Sequence, residues 1–141
     1  EELNISSKKK LDNLKIVDLI DYLKLCTDVF NNTKLKGEIT IHPTCSTEKM
    51  DQTHKLKALA DICIKNVILS DNWGCCGFAG DKGLNTPELN RSATKYVIDE
   101  FKNLNSGYST SRTCEIGMMT NSNIDYKSIA YLVRDYIFQV K

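Results

Sequence analysis

Four cysteines stand in contexts suited to chemistry. "HPTCS" carries Cys45, "WGCCGFAGDKG" carries Cys75 and Cys76, and "SRTCEIGMM" carries Cys114. From Cys45 to the Cys-Cys-Gly run there are 29 intervening residues, and from Gly77 to Cys114 another 36. Adjacent cysteines are awkward as core because their side chains point in different directions, and Gly74, Gly77, Gly80 and Gly83 give up helix and strand propensity around them. Thiolates are soft ligands that select zinc, copper(I) or iron–sulfur clusters over hard cations. Four of them complete an iron–sulfur cluster or a tetrahedral zinc site. A cluster carries net negative charge, and Gly74 and Gly77 would let backbone N–H groups approach its sulfurs. Zinc sites favour a Cys-x-x-Cys knuckle, which is absent, so zinc ranks below a cluster whose separate metals two adjacent cysteines can straddle. The glycine spacing is not that of a dinucleotide loop.

Around this set lie residues with two readings each. His42, three positions before Cys45, is either a ligand or donor to sulfur, or a strand-end histidine satisfied by backbone. Lys82 and Arg112 would offset negative charge or meet an acidic substrate, against a plain solvated role. Trp73 and Phe78 would shield a centre from water, or simply pack. Asp81 and Glu115 would cap N–H groups. His54, in a lysine-rich stretch, reads as surface. Cys26 and Cys63 fall on apolar helix faces and read as core. The pair Cys75–Cys76 could instead form a strained, reducible disulfide, which leaves a thiol-redox or zinc-bound structural domain as the alternative.

Such residues need elements to bring them together. Leu11 to Phe30 has helical periodicity, with Ile16, Leu19, Ile20, Leu23, Cys26 and Phe30 on one face. "EITIHPT" alternates as a short strand and stops at Pro43. "CSTEKMDQTHKLKALADICIKN" reads as a helix, "VILS" as a buried strand, and "NTPELNRSATKYVIDEFKNL" as a helix. Thr86 is the expected N-cap of that helix, Pro87 its first residue, and Leu89, Ala93, Tyr96, Val97 and Phe101 its inner face. "SGYSTSRT" is a candidate third strand, "CEIGMMTNSN" reads as loop, and Asp125 is the expected cap of a last helix. The expectation is an α/β domain: a parallel sheet from three strand–loop–helix units with flanking helices, preceded by an N-terminal helix. Every cysteine-bearing segment then follows a strand and precedes a helix. In a parallel sheet all such connections leave at one edge, so the topology itself predicts a cysteine cluster.

Composition limits the alternatives. The chain has 141 residues, 41% hydrophobic and 26% charged, with a net charge of +1. That balance gives no electrostatic case for a nucleic-acid partner, and no apolar run approaches the roughly 18 residues of a membrane span. Residues 1–10 read as a lead-in or linker and 11–141 as a single domain. The start "EELNISSKKK" lacks a methionine, so a piece of a longer protein is expected. Six cysteines in a helix-rich chain of this length favour a reduced, cytosolic setting over a disulfide framework.

Taken together, "HPTCS", "WGCCGFAGDKG" and "SRTCEIGMM" resemble the cysteine-rich CCG domain of heterodisulfide reductases and of glycolate oxidase iron–sulfur proteins. The wording from about Gly37 to Lys141 is most similar to the C-terminal part of membrane-associated, FAD-linked D-lactate dehydrogenases that also contain iron–sulfur centres. The resemblance implies a parent with FAD in an N-terminal domain, oxidising a small D-2-hydroxy acid. Electrons would pass through an iron–sulfur centre, a [4Fe–4S] cluster on Cys45, Cys75, Cys76 and Cys114, to a quinone or cytochrome. It further implies a cytoplasmic protein, peripheral at the inner face of the membrane through its parent, and no catalytic residue within this stretch. The family pattern closes with Cys-x-x-Cys, whereas Gly117 stands at the second of those positions here.

Overall fold

Along "ITIH", Ile39 and Ile41 turn to one side of a strand and Thr40 and His42 to the other, and that alternation sets the layers of the molecule. The computed structural model describes residues 14–140. In chain order the elements are α1 (Leu19–Asp28), β1 (Leu35–His42), α2 (Cys45–Lys49), α3 (Thr53–Cys63), β2 (Ile64–Leu69), α4 (Lys82–Asn85), α5 (Pro87–Glu100), β3 (Ser106–Ser109), α6 (Arg112–Asn121), β4 (Asp125–Ser128) and α7 (Ile129–Phe138). The four strands form one parallel sheet in the order β2-β1-β3-β4. The expected α/β class, with a parallel sheet and flanking helices, is the observed one.

Helices cover both faces. On the first, α1, α3 and α7 enclose a core that includes Ile39, Ile41, Leu56, Leu59, Cys63, Ile129 and Val133. On the second, α5 and α6 enclose Cys76, Phe78, Val97, Phe101, Cys114, Met118 and Tyr126. The crossover from β1 to β2 moves outward one way through α3, and the crossovers to β3 and β4 move the other way on the opposite face. Reversing direction and face together keeps one hand throughout, as the handedness rule requires. The sense of winding changes between β1 and β3, so the carboxyl ends of these two strands flank the switch point, where α/β sheets open a crevice.

Several sequence expectations are corrected. The first helix begins at Leu19, where Asp18 caps it by accepting the Ile20 N–H at 2.8 Å. Residues 14–18 carry no regular structure, Ile16 is fully exposed, and positions 11–13 lie outside the described residues, as does the 1–10 lead-in. The helix expected to follow Cys45 is two helices, broken at Met50–Gln52, where Asp51 adopts φ 53°. "CEIGMMTN" is helix α6 rather than loop. A fourth strand precedes the last helix, so Asp125 opens β4 and the cap is Ser128, whose side chain accepts from the Ala130 N–H. Thr86 and Pro87 do begin α5, but the Thr86 side chain makes no cap bond. The inner face of α5 is Asn90, Thr94, Val97 and Phe101, with Leu89, Ala93 and Tyr96 turned to solvent.

One row of the sheet shows how the second face is packed. Thr40, Gly107 and Tyr126 are register partners across β1, β3 and β4. A Cβ on Gly107 would lie 2.5 to 2.7 Å from the Tyr126 ring. Glycine in the middle strand therefore lets that ring lie across the sheet, forming part of the floor of the second core.

Candidate metal centre

The centre is assembled at the carboxyl edge of the sheet. β1 ends at His42, and because His42 shares the parity of Thr40 its ring falls on the second face. Ser109, its register partner on β3, donates its Oγ–H to the His42 carbonyl at 2.8 Å. Pro43 ends the strand and Thr44 caps α2, with Oγ1 accepting the Thr47 N–H at 3.2 Å. Cys45 is thereby the first residue of α2. Thr47 Oγ1 lies 3.2 Å from Thr110 Oγ1, tying this turn to the segment after β3. Cys114 sits in the first turn of α6, two residues after Arg112 opens that helix.

The connection after β2 carries the doublet back over this edge. Trp73 donates Nε1–H to the Pro43 carbonyl at 2.7 Å, and its ring lies 6.5 Å from that of His42. Past Trp73 the chain needs left-handed backbone at Gly77 (φ +69°). A side chain there would also collide with α5, since a Cβ would come to 2.8 Å from the Ala93 Cβ and the Leu89 carbonyl oxygen. Glycine at this position lets the loop lie directly on the helix and turns Cys76 inward while Cys75 stays exposed. The Gly77 N–H donates to Cys75 Sγ at 3.3 Å.

Cys76 Sγ and Cys114 Sγ lie 3.2 Å apart, within hydrogen-bond distance. His42, Cys76 and Cys114 are all buried, with their ligand atoms within 4.8 Å of one another. The hydrogen bond from Cys114 holds the Cys76 thiol down to about 4 against the cost of burial, with help from His42 and the Phe78 N–H. Cys114 moves the other way: its hydrogen bond to Cys76, its burial, and the charges of Cys76, Cys45 and Cys75 all raise it. Cys45 is raised by burial, by a hydrogen bond with Cys75, and by the charges of Cys75 and Cys76. The four cysteines singled out from the sequence thus lie near enough to interact, with Cys76 and Cys114 in the tight trio and Cys45 and Cys75 beside it. Cys63 is fully buried in the first core, where burial alone pushes its thiol up to about 12, and Cys26 is half-buried on α1.

The remaining candidates fall into place differently. His42 belongs to the innermost trio. Arg112 is engaged by the buried carboxylate of Glu115 at 2.9 Å, so its charge is directed to that partner. Lys82 is an exposed residue at the start of α4. Gly74 has open space where a side chain would be. Phe78 is buried against Gly83 and Gly117, in the same core cluster as Cys76 and Cys114. His54 is exposed. Two surface depressions, of about 300 and 560 Å³, lie along α5 and α6 and are lined by none of the cysteines, so neither serves the group as a substrate cleft.

Sequence reasoning missed Asn90, Thr94 and Asn121. Asn90 donates Nδ2–H to the carbonyls of Cys76 (2.6 Å) and Gly117 (3.1 Å), accepts from Asn121, and has its own carbonyl capped by Thr94 Oγ1 at 2.8 Å. The available signal was the spacing 90, 94, 97, 101. It is as helical as the apolar one, but half of its members are polar.

The donor set tests what could be held. Three or four thiolates with an imidazole suit zinc or iron and exclude calcium or magnesium. Two thiolates on one tetrahedral ion stand about 3.8 Å apart, given metal–sulfur bonds of about 2.3 Å. The donor atoms of His42, Cys76 and Cys114 lie within 4.8 Å of one another, and the two sulfurs, 3.2 Å apart, would part by about 0.6 Å to seat one ion; Cys45 and Cys75 lie beside them as further donors. The residues fit a soft metal centre. No protein-family model, curated protein or solved structure matches the chain. Among the described residues, no helix is long and apolar enough to cross a membrane.

Proposed function

We propose that this chain is an electron-transfer module: the CCG-type iron–sulfur domain of an FAD-linked dehydrogenase acting on D-2-hydroxy acids such as D-lactate. The observation that carries the reading is the meeting of Cys45, Cys75, Cys76 and Cys114, from three separate strand exits, at one edge of the sheet. The cluster, when bound, supplies a one-electron carrier between the flavin of the parent and a quinone or cytochrome acceptor. The chain's own residues do the rest. The four sulfurs hold the group. The Gly77 N–H directs a dipole at Cys75, which lowers the cost of negative charge there. Phe78 and Met118 keep water from the buried side. Hydride abstraction belongs to the flavin domain, so the chain alone does not oxidise lactate.

A second reading is favoured by the short span of His42, Cys76 and Cys114: a single zinc ion, structural or docking in role. Anaerobic purification with metal and sulfide analysis separates the two. Roughly four iron and four acid-labile sulfide per chain, with visible absorbance, is the expected result. One zinc without iron establishes the second reading, and protein that takes up neither metal overturns both.

A further inference from the structure

We propose that Asn90 is the positioning residue that fixes the separation of Cys76 and Cys114. The inference deepens the metal-centre reading and rests on it for its purpose, although the positioning itself is a property of the metal-free chain. Asn90 is 1% exposed and is the fourth residue of α5, past the capping position that favours asparagine, and its amide is costly to bury unless fully bonded. Both of its N–H donors are used, and they go to two different segments. One reaches the carbonyl of Cys76 itself, at 2.6 Å. The other reaches the carbonyl of Gly117, three residues after Cys114, at 3.1 Å. A planar amide with two fixed donors sets the distance between the carbonyls it bridges. The acceptor end is held in turn by Asn121, so the amide cannot flip without losing all three bonds.

Glycines bring both backbones within reach of this one side chain. A Cβ on Gly77 would lie 3.1 Å from Asn90 Cα, and a Cβ on Gly117 would lie 3.0 Å from Asn90 Nδ2 and 3.1 Å from Phe78 Cδ2. Even the methyl of an alanine at 117 would require Asn90 or Phe78 to give by a few tenths of an ångström. The space beside Gly117 is thus taken by Asn90 and Phe78, and the amide clamps the loop and the helix that carry the buried sulfurs.

The clamp is tested on the reduced, metal-free chain by equilibrating it with glutathione. Two electrons and two protons leave the Cys76 and Cys114 thiols as their sulfurs join, and one oxidised glutathione becomes two reduced molecules. Mapping and quantifying the Cys76–Cys114 disulfide gives the effective concentration of one sulfur at the other. Asn90→Ala, and the space-filling Asn90→Leu in case the first fails to fold, are expected to lower it about tenfold or more. Val133→Ala, in the core across the sheet, should lose stability and leave that value unchanged. In parallel, cobalt(II) titration should show about 10- to 100-fold weaker binding in the Asn90 variants and an altered thiolate–cobalt spectrum. A folded Asn90 variant with the wild-type glutathione equilibrium overturns the proposal. Wild-type chain that takes up no cobalt would instead count against the metal reading, with the disulfide equilibrium still deciding the clamp.

Discussion

Alanine substitutions through the glycine loop separate two physical costs that the structure assigns to different positions. Gly74 has neither left-handed backbone nor a neighbour within 4 Å of a would-be Cβ, so Gly74→Ala should change stability by no more than about 0.5 kcal/mol. Gly80 has φ +76° in open space, so Gly80→Ala should incur only the backbone penalty, about 1 kcal/mol. Gly77 has both problems, φ +69° and contacts at 2.8 Å with Ala93 and with the Leu89 carbonyl. The backbone contributes about 1 kcal/mol and the forced displacement of loop from helix about 2 kcal/mol, for a total of about 3 kcal/mol. For a domain of this size that lowers Tm by about 10 °C. Urea and thermal unfolding followed by circular dichroism give all three values, and metal content measured alongside should fall in Gly77→Ala alone, because that shift moves Cys76. A Gly77→Ala protein within about 0.5 kcal/mol of wild type, or a larger loss in Gly80→Ala than in Gly77→Ala, would refute the close loop–helix contact on which the centre depends.

Cys76→Ser and Cys114→Ser should abolish metal retention, whereas Cys26→Ser should keep it. His42→Ala should sharply weaken a single-zinc site but leave iron stoichiometry intact in a four-thiolate cluster, so metal analysis of this one variant ranks the two readings. Trp73→Phe removes the N–H that pins the doublet loop to the Pro43 carbonyl and should cost about 1 kcal/mol in urea unfolding, with faster metal release to a chelator. In the reduced apo-protein, iodoacetamide should label exposed Cys75 first and Cys63 only on unfolding, as read by peptide mass spectrometry. Burial raises Cys63 to about 12 in the folded state, while the unfolded chain ionises near 9.0. The stability linked to that thiol is therefore complete below about pH 9 and is lost as pH rises towards about 12. Urea midpoints at pH 8 and pH 10.5 should differ more in wild type than in Cys63→Ala, and equal differences would refute the assignment.

The residues of the centre were more legible than the secondary structure around them. Cys45, Cys75, Cys76 and Cys114 were separable from Cys26 and Cys63 because their neighbours, Gly, Pro, Ser and Thr, interrupt the apolar helical periodicity on which Cys26 and Cys63 fall. The helix after Cys114 was hidden because Gly117, Thr113 and Thr120 weaken its propensity, and its stability comes from packing Met118 and Cys114 on the second face. β4 was hidden because "DYKS" buries only Tyr126 fully, and a short edge strand of this kind is made by its register with β3. The inner face of α5 was misjudged for a related reason. Hydrophobicity points to Leu89 and Tyr96, but the elements above α5 offer two carbonyls, and Asn90 answers them.

By itself the sequence determined the α/β class, the alternation of strands and main helices up to the third strand (without the break after Lys49 or the short helix Lys82–Asn85), and the expectation that strand-following cysteines gather at one edge. These follow from local periodicity and from the rule that parallel connections leave a sheet on the same side. Only the tertiary structure decided that His42 faces the sulfurs, that Arg112 is engaged by Glu115, and that Asn90 bridges the doublet to α6. The reason is one of range. A side chain's parity along a strand can be counted locally, but the partners of a buried polar group lie 14 to 27 residues away and are set by how closely glycine lets two backbones approach.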